Sequence, residues 1–396
     1  MLINTWYVAA ESTDLKDKPV RVKMLGQYFA LFRGEDGVAR AVSDVCIHRG
    51  GSLGNGKIKK NCIECPYHGW QFDGEGKCTK IPASGPDKPI PKRARVDYYP
   101  VKEKFGWVWV FVGDLPEEQR PPLPEFPEYD DTENWRCVRG EFKWEANYAR
   151  VCENALDPAH AAFIHGDTFG NPDDPTIHDF KVDRDEYSGG ATFHLTRPPI
   201  KGIWKLVKGN VERPAVEVRN EYHLSGMTVL LRQKISDWMQ LALFDVNTPV
   251  DENHTHTRWI IARSFFRGPF ARYFMAADSD SKRRTLKIFE QDRVVVEKIK
   301  PIFVPEFGEE LSIKSDALQI AFRKRRQEYI NKGWAIDNAA VRAQGSDERA
   351  RSLVSPNRAT VPANEWVIDT VPLTEPRNRP KLVPSPEPEL PRQAEG

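Results

Sequence analysis

Two short stretches of the chain carry the residue types that bind metals. Cys46-Ile47-His48 is followed, sixteen residues on, by Cys65-Pro66-Tyr67-His68. Two thiolates and two imidazoles could hold a tetrahedral zinc or an iron–sulfur cluster. The order of the ligands separates these. Structural zinc sites usually keep Cys with Cys and His with His, whereas here each loop supplies one of each. Two mixed loops meeting tip to tip suit a 2Fe-2S cluster with two Cys on one iron and two His on the other. Gly50, Gly51 and Gly69 flank these residues, and without a Cβ they let backbone amides approach the cluster sulfides. Cys62 stands three residues before Cys65, but Cys65 is better used by the cluster; Cys62, Cys78, Cys137 and Cys152 read as ordinary strand or core residues.

A second constellation follows. Glu153-Asn154-Ala155-Leu156-Asp157-Pro158-Ala159-His160 is succeeded by His165. Asp157 before Pro158 predicts a helix start with His160 in its first turn. Five residues turn about 140° round a helix, so His160 and His165 can face one point if the helix bends or ends between them. A third ligand is found by looking for an acid on the wrong side of a helix. In the helical pattern of 281–300, Ile288, Phe289, Val295, Val296 and Ile299 surround Asp292 in one apolar stripe. A carboxylate there needs a metal or a counter-charge such as Arg283 or Arg284. Two His and one carboxylate make the facial set that leaves non-haem Fe(II) open to dioxygen. Zinc is the competing metal, and the upstream cluster favours iron, because zinc has no use for an electron donor. His178, His194, His223, His254 and His256 occur singly or in polar contexts and read as structural. Gly50-Gly51-Ser52-Leu53-Gly54-Asn55-Gly56 matches no nucleotide fingerprint. With no nicotinamide or flavin motif, electrons must come from another protein. Lys57, Lys59 and Lys60 form a basic turn that either docks an acidic ferredoxin or is simply solvated.

The elements that must position these groups follow from composition and patterning. The chain has 396 residues, 40% hydrophobic and 29% charged, enough for two domains. Its 58 Lys+Arg against 57 Asp+Glu leave no electrostatic footprint for nucleic acid. No stretch is apolar for long enough to span a membrane, and Met1–Tyr7 lacks the features of a signal peptide, so a cytoplasmic protein is expected. Six Cys are too few for a disulfide scaffold. Period-two apolar runs between Gly-rich turns predict antiparallel strands up to Val112, ending in the buried run Trp107–Val112. Pro116, Pro121, Pro122, Pro124 and Pro127 then suit a linker. Beyond it, part of 140–165 reads as helix, 178–265 as strands and 281–300 as a long helix. The fold class is therefore α+β: a β-rich domain over 1–115, a second domain with an antiparallel sheet over 116–370, and a Pro-rich disordered tail over 371–396.

With both constellations in this order, the chain resembles the catalytic α-subunit of Rieske non-haem iron oxygenases, from about residue 4 to about residue 335. Asn4-Thr5-Trp6-Tyr7-Val8-Ala9-Ala10, the two cluster loops, the 153–160 stretch and Glu290-Gln291-Asp292 carry the likeness. Gly51 and Tyr67 stand where high-potential respiratory members have a bracing disulfide. The resemblance is strongest to the α-only branch of dicamba and vanillate demethylases and alkaloid hydroxylases. It implies a Rieske domain followed by a helix-grip domain. Cys46, His48, Cys65 and His68 would hold the 2Fe-2S cluster, and His160, His165 and Asp292 the mononuclear iron. Asp157 would bridge His68 of one subunit and His160 of the next in a homotrimer. A ferredoxin or flavin reductase would pass on electrons from NAD(P)H, and O2 would hydroxylate a small aromatic or polycyclic substrate or remove a methyl group. Trp204, Trp238, Met239 and Phe244 are candidates for the cavity lining, with core packing as the alternative. Competing readings are a cis-dihydroxylating subunit, a Rieske electron carrier without catalytic iron, and a zinc-stabilised interaction protein.

Overall fold

The alternating runs of the first part become strands β1 (Thr5–Glu11), β2 (Val20–Met24), β3 (Gln27–Arg33), β4 (Ala39–Ser43), β5 (Lys57–Lys59), β6 (Cys62–Glu64), β7 (Gln71–Phe72), β8 (Cys78–Lys80), β9 (Tyr98–Tyr99), β10 (Val101–Lys104) and β11 (Trp107–Val112) in a computed structural model. It describes residues 1–377 apart from 167, 179, 198–213, 274, 306–307 and 346–348. The strands pair as β2-β3-β4-β9, β5-β6-β7-β8 and β1-β11-β10. Ala30, Phe32, Val42, Leu53, Ile63 and Phe72 fill the space between the first two sheets, with Cys46 and Cys65 in the same core. The first cluster loop joins β4 to β5 and the second joins β6 to β7. Both are therefore anchored at each end by paired strands.

The second part contains β12 (Arg136–Trp144), α1 (Tyr148–Leu156), α2 (His160–Ile164), β13 (Val182–Arg184), β14 (Ser188–Leu195), β15 (Val216–His223), β16 (Thr228–Lys234), β17 (Gln240–Pro249), β18 (Thr255–Arg263), α3 (Ala277–Val296) and α4 (Ala317–Asn331). One seven-stranded antiparallel sheet has the order β12-β18-β17-β16-β15-β14-β13. Both of its faces are covered. Leu230, Ala242, Phe244, Val246 and Ile260 pack against Trp6, Val8, Trp107 and Phe111 of the three-stranded front sheet. On the opposite face, Phe142, Trp144 and Trp259 meet Phe289 and Val296 of α3, while Tyr222 and Val229 meet α1 and α4.

This layering corrects several expectations. Phe244 is fully buried on the face away from α3, stacked 4.8 Å from Phe126, so it is core and lines no cavity beside the helix. Residues one position away on a strand point to opposite faces, which puts Leu243 on the helix side instead. Trp238 is 63% exposed, and Met239 closes the turn between β16 and β17. Trp204 lies outside the described residues. Val295 is exposed; the buried stripe of α3 is Thr285, Phe289, Asp292 and Val296.

The chain also returns to its front part. Leu353, Val371 and Leu373 join the core built on β1 and α4, and the Tyr99 hydroxyl donates to the Leu353 carbonyl at 2.8 Å. Arg358 forks onto buried Asp97 at 2.8 and 2.7 Å. The first residues of the Pro-rich end are thus tied down, Thr374 N donating to Ala335 O at 2.8 Å. Residues 378–396 of the expected disordered tail lie outside the described residues. Among the described residues no helix is long and apolar enough to cross a membrane.

Candidate metal centres

The rear site is built by a break between two helices. Asn147 caps α1, its side chain accepting from Ala149 N at 3.0 Å. At the other end, Asp157 accepts from Ala159 N at 2.8 Å and from His160 N at 3.2 Å, which turns the chain into α2. Asp157 thus makes the expected bonds to the amides that follow, but the helix begins later than expected, at His160, with Ala159 rather than Asp157 in the cap position. α2 stops at Ile164, and the His165 carbonyl gathers the amides of Thr168, Phe169 and Gly170 at 2.8, 3.0 and 2.9 Å. Ending the helix there lets both imidazoles face α3. Asp292 Oδ1 lies 3.3 Å from His165 Nε2 and 3.6 Å from His160 Nε2. One ligand atom from each of the three residues lies within 4.8 Å of the others.

Asp292 and His165 are buried, and neither Arg283 nor Arg284 neutralises the acid, because both pair with Asp280 on the surface. Asp292 Oδ1 and His160 Nδ1 are buried with no hydrogen-bond partner among the described residues. Two imidazole nitrogens and a carboxylate oxygen suit a divalent first-row metal, and the unpaired Oδ1 is what such an ion would satisfy. Gln291 Oε1 lies 3.0 Å from His165 Nδ1 and accepts from the Thr168 hydroxyl at 3.3 Å. A carboxamide oxygen only accepts, so Nδ1 carries the proton and the Nε2 lone pair is left to face Asp292. Asp157 Oδ2 is 3.7 Å from His160 Nδ1, too long for a hydrogen bond. Burial pushes the Asp157 carboxyl up, but neighbouring His160 and the two amides outweigh it and hold the group below its usual range.

Gln291 and Asp245 were not foreseen as parts of this site. Gln291 stands in the family-like stretch Glu290-Gln291-Asp292, but a polar residue on a mostly polar helix gives no sign of a contact with His165. Asp245 interrupts the apolar run Leu241-Ala242-Leu243-Phe244, a signal of the same kind that exposed Asp292. It is buried on β17, where burial first and the charge of Asp292 second hold its carboxyl well above the ordinary value.

The front site joins two loops of the same design. Gly50 N donates to Cys46 O at 2.9 Å and Gly69 N to Cys65 O at 3.0 Å; Cys46 N reaches Gly51 O and Cys65 N reaches Trp70 O at 2.9 and 2.8 Å. Gly50 and Gly69 have φ of 70° and 69°, a left-handed conformation that a side chain would strain. Cys46 and Cys65 are buried, whereas the His48 and His68 rings lie 4.4 Å apart at the rim, with Trp70 stacked on His48. Burial, with the Cys65 thiol beside it, pushes Cys46 up to about 12. A thiol so placed stays protonated unless a metal takes it, and buried His48 Nδ1 has no hydrogen-bond partner among the described residues. Two inner thiols and two outer imidazoles fit a cluster with one Cys-held and one His-held iron. Cys62 instead contacts Thr79, and His254 and His256 pair with Asp251 and Glu141.

Residues 5–100 match the Rieske [2Fe-2S] domain, and residues 144–332 match the vanillate O-demethylase oxygenase C-terminal domain. The chain belongs to the Rieske non-haem iron oxygenases. Among its relatives, methylxanthine N1-demethylase NdmA of Pseudomonas putida is 26% identical over 89% of this chain and 93% of that protein. Dicamba O-demethylase of Stenotrophomonas maltophilia is 34% identical over 41% of this chain and 47% of that protein. The structure of NdmA with caffeine superposes with a TM-score of 0.66 at 27% identity, covering 82% of this chain and 90% of that one. Dicamba monooxygenase, at 23% identity and a TM-score of 0.64, shares the fold. Members of this family are oxidoreductases that use a 2Fe-2S cluster, a mononuclear iron and O2, with electrons supplied by a reductase, to hydroxylate or oxidatively demethylate small organic molecules.

Proposed function

We propose that this protein is a monooxygenase that hydroxylates or oxidatively demethylates a small aromatic or polycyclic substrate, with Cys46, His48, Cys65 and His68 holding its cluster and His160, His165 and Asp292 its mononuclear iron. The observation that carries this reading is the convergence of His160, His165 and Asp292, the acid pairing with no Arg or Lys among the described residues. When bound, the iron supplies dioxygen activation. The chain's own residues orient and protect it: Gln291 fixes the His165 ring, and the apolar face of Phe142, Trp144 and Phe289 excludes water. Asp157, behind His160 and 22% exposed in its side chain, is suited to bridge to a cluster imidazole of another subunit. His68 is exposed at the loop tip, where such a neighbour could reach it. We take the assembly to be a homotrimer, the setting cytoplasmic, and the domains to span 1–115 and 116–370, with the C-terminal segment strapped across the first. NdmA and dicamba O-demethylase are named as demethylases, which favours loss of an N- or O-methyl group over cis-dihydroxylation.

Iron and acid-labile sulfide analysis with visible absorption tests the metal assignment: a Rieske spectrum plus one further iron is expected, and a Rieske spectrum alone would leave only an electron carrier. Reductase-dependent oxygen uptake over a panel of methylxanthines, aryl ethers, aromatic acids and N-methyl amines, with formaldehyde measured, then assigns the reaction.

A further inference from the structure

Between the first cluster loop and the returning C-terminal strap lies a cavity of about 440 Å³. One wall is the stretch Val45, Cys46, Ile47 and Gly50; the other includes Arg349, Arg351 and Asp369. Arg351 and Asp369 belong to two short strands, Arg351–Ser352 and Asp369–Thr370, which pair in parallel. Arg351 is 7% exposed, yet its guanidinium makes no hydrogen bond or ion pair with any described residue. Other buried arginines of this protein are neutralised: Arg263 sits on Asp278, and Arg150 on Glu310 and Glu153. Asp369 lines the same cavity but forms no ion pair with Arg349 or Arg351.

Unpaired and lining the cavity, the Arg351 guanidinium offers its charge and hydrogen-bond donors to whatever enters, and an anion is the complementary ligand. The planar fork of arginine matches a carboxylate in a bidentate contact. What brings the carboxylate is argued from the wall it would touch. The cavity abuts the backbone that carries Cys46 and leads to His48, exposed Arg49 follows on the same loop, and Arg349 adds a second cation to the opposite wall. A family that draws electrons from a partner protein needs that partner seated beside the cluster. We propose that this cavity receives a carboxylate side chain of the electron-donor protein on Arg351, docking the donor's acidic surface against the first cluster loop. The inference rests on the electron-fed cluster of the proposed function.

The test follows one-electron reduction of the cluster in the holoprotein by stopped flow, with a reduced acidic plant-type [2Fe-2S] ferredoxin as the probe; the ferredoxin is oxidised and the cluster reduced. Dithionite, which needs no docking, serves as the parallel donor. Arg351→Gln should slow reduction by ferredoxin about tenfold and weaken its salt dependence, while the dithionite rate stays that of the wild type. Arg351→Lys should recover part of the loss, and Arg349→Gln at the rim should show a smaller one. Acetate or inorganic phosphate should slow ferredoxin with wild type more than with Arg351→Gln. Equal ferredoxin rates in wild type and Arg351→Gln, including no reduction of either, overturn the assignment. So does sedimentation showing that Arg351→Gln breaks an assembly the wild type keeps, since the carboxylate would then come from a second copy. A preparation without Rieske absorption before any donor is added sinks the functional reading instead.

Discussion

At the scale of single residues, the proposed iron site would depend on groups that aim its candidate ligands as much as on those ligands. Gln291 and Asp292 are neighbours on α3, and one holds the ring of His165 while the other faces its Nε2. Removing a hydrogen bond to a metal-binding imidazole typically costs ten- to a hundredfold in metal affinity. Gln291→Leu should therefore lower Fe(II) affinity by about 10- to 100-fold, measured by competition with a chelator, with the Rieske spectrum unchanged; Gln291→Glu, which can still accept, should lose less. Retained affinity in Gln291→Leu would show that packing alone sets the ring. Asp157→Asn is expected to keep both metal centres yet to lose most reductase-coupled turnover. Full turnover by a variant with intact metals would remove the bridging role.

At the scale of elements, the sheet face beneath α3 is shaped by one missing side chain. A Cβ on Gly140 of β12 would lie 2.3 Å from the ring of Trp259 on the paired strand β18. That ring is fully buried against Phe289 of the helix that bears Asp292. Gly140→Ala should destabilise the protein by about 1–3 kcal/mol, read as a lower denaturation midpoint, and should also weaken iron retention because α3 is displaced. An unchanged midpoint would mean that the strand yields without moving the helix.

At the scale of the whole molecule, the chain is closed by its own C-terminal segment. Asp97 is 2% exposed and is met by Arg358, Ser352 and Ser355. Arg358→Ala leaves that carboxylate buried with hydroxyls alone, and the loss should be about 3 kcal/mol, with limited proteolysis removing the C-terminal segment sooner than in the wild type. Undiminished protease resistance would show that Leu353 and Val371 suffice to hold it. A second global effect comes from His223, which burial lowers to about 4 and whose Nδ1 accepts from Ser225 N. The folded state keeps this imidazole neutral, whereas the unfolded chain takes up a proton below about 6.5. Its contribution is thus complete above pH 6.5 and is lost as pH falls towards 4, about 3 kcal/mol in all. Urea midpoints across that range should slope down with acid and flatten in His223→Asn.

The candidate ligand residues, their spacing and the burial of Asp292 on its helix were legible in the sequence because coordination chemistry and helical periodicity are local. So were the antiparallel character of both parts and the need for a break between His160 and His165. Which face a strand residue takes was not: Phe244 and Leu243 are equally apolar, and the packing of β1 and β11 on the sheet assigns them to opposite sides. The same holds for Val295, which a one-position rotation of the stripe leaves in water. Contacts between residues far apart in the chain, such as Asp97 with Arg358 or Gln291 with His165, leave no spacing to read, because the distance in sequence between such partners is set only when the whole chain packs.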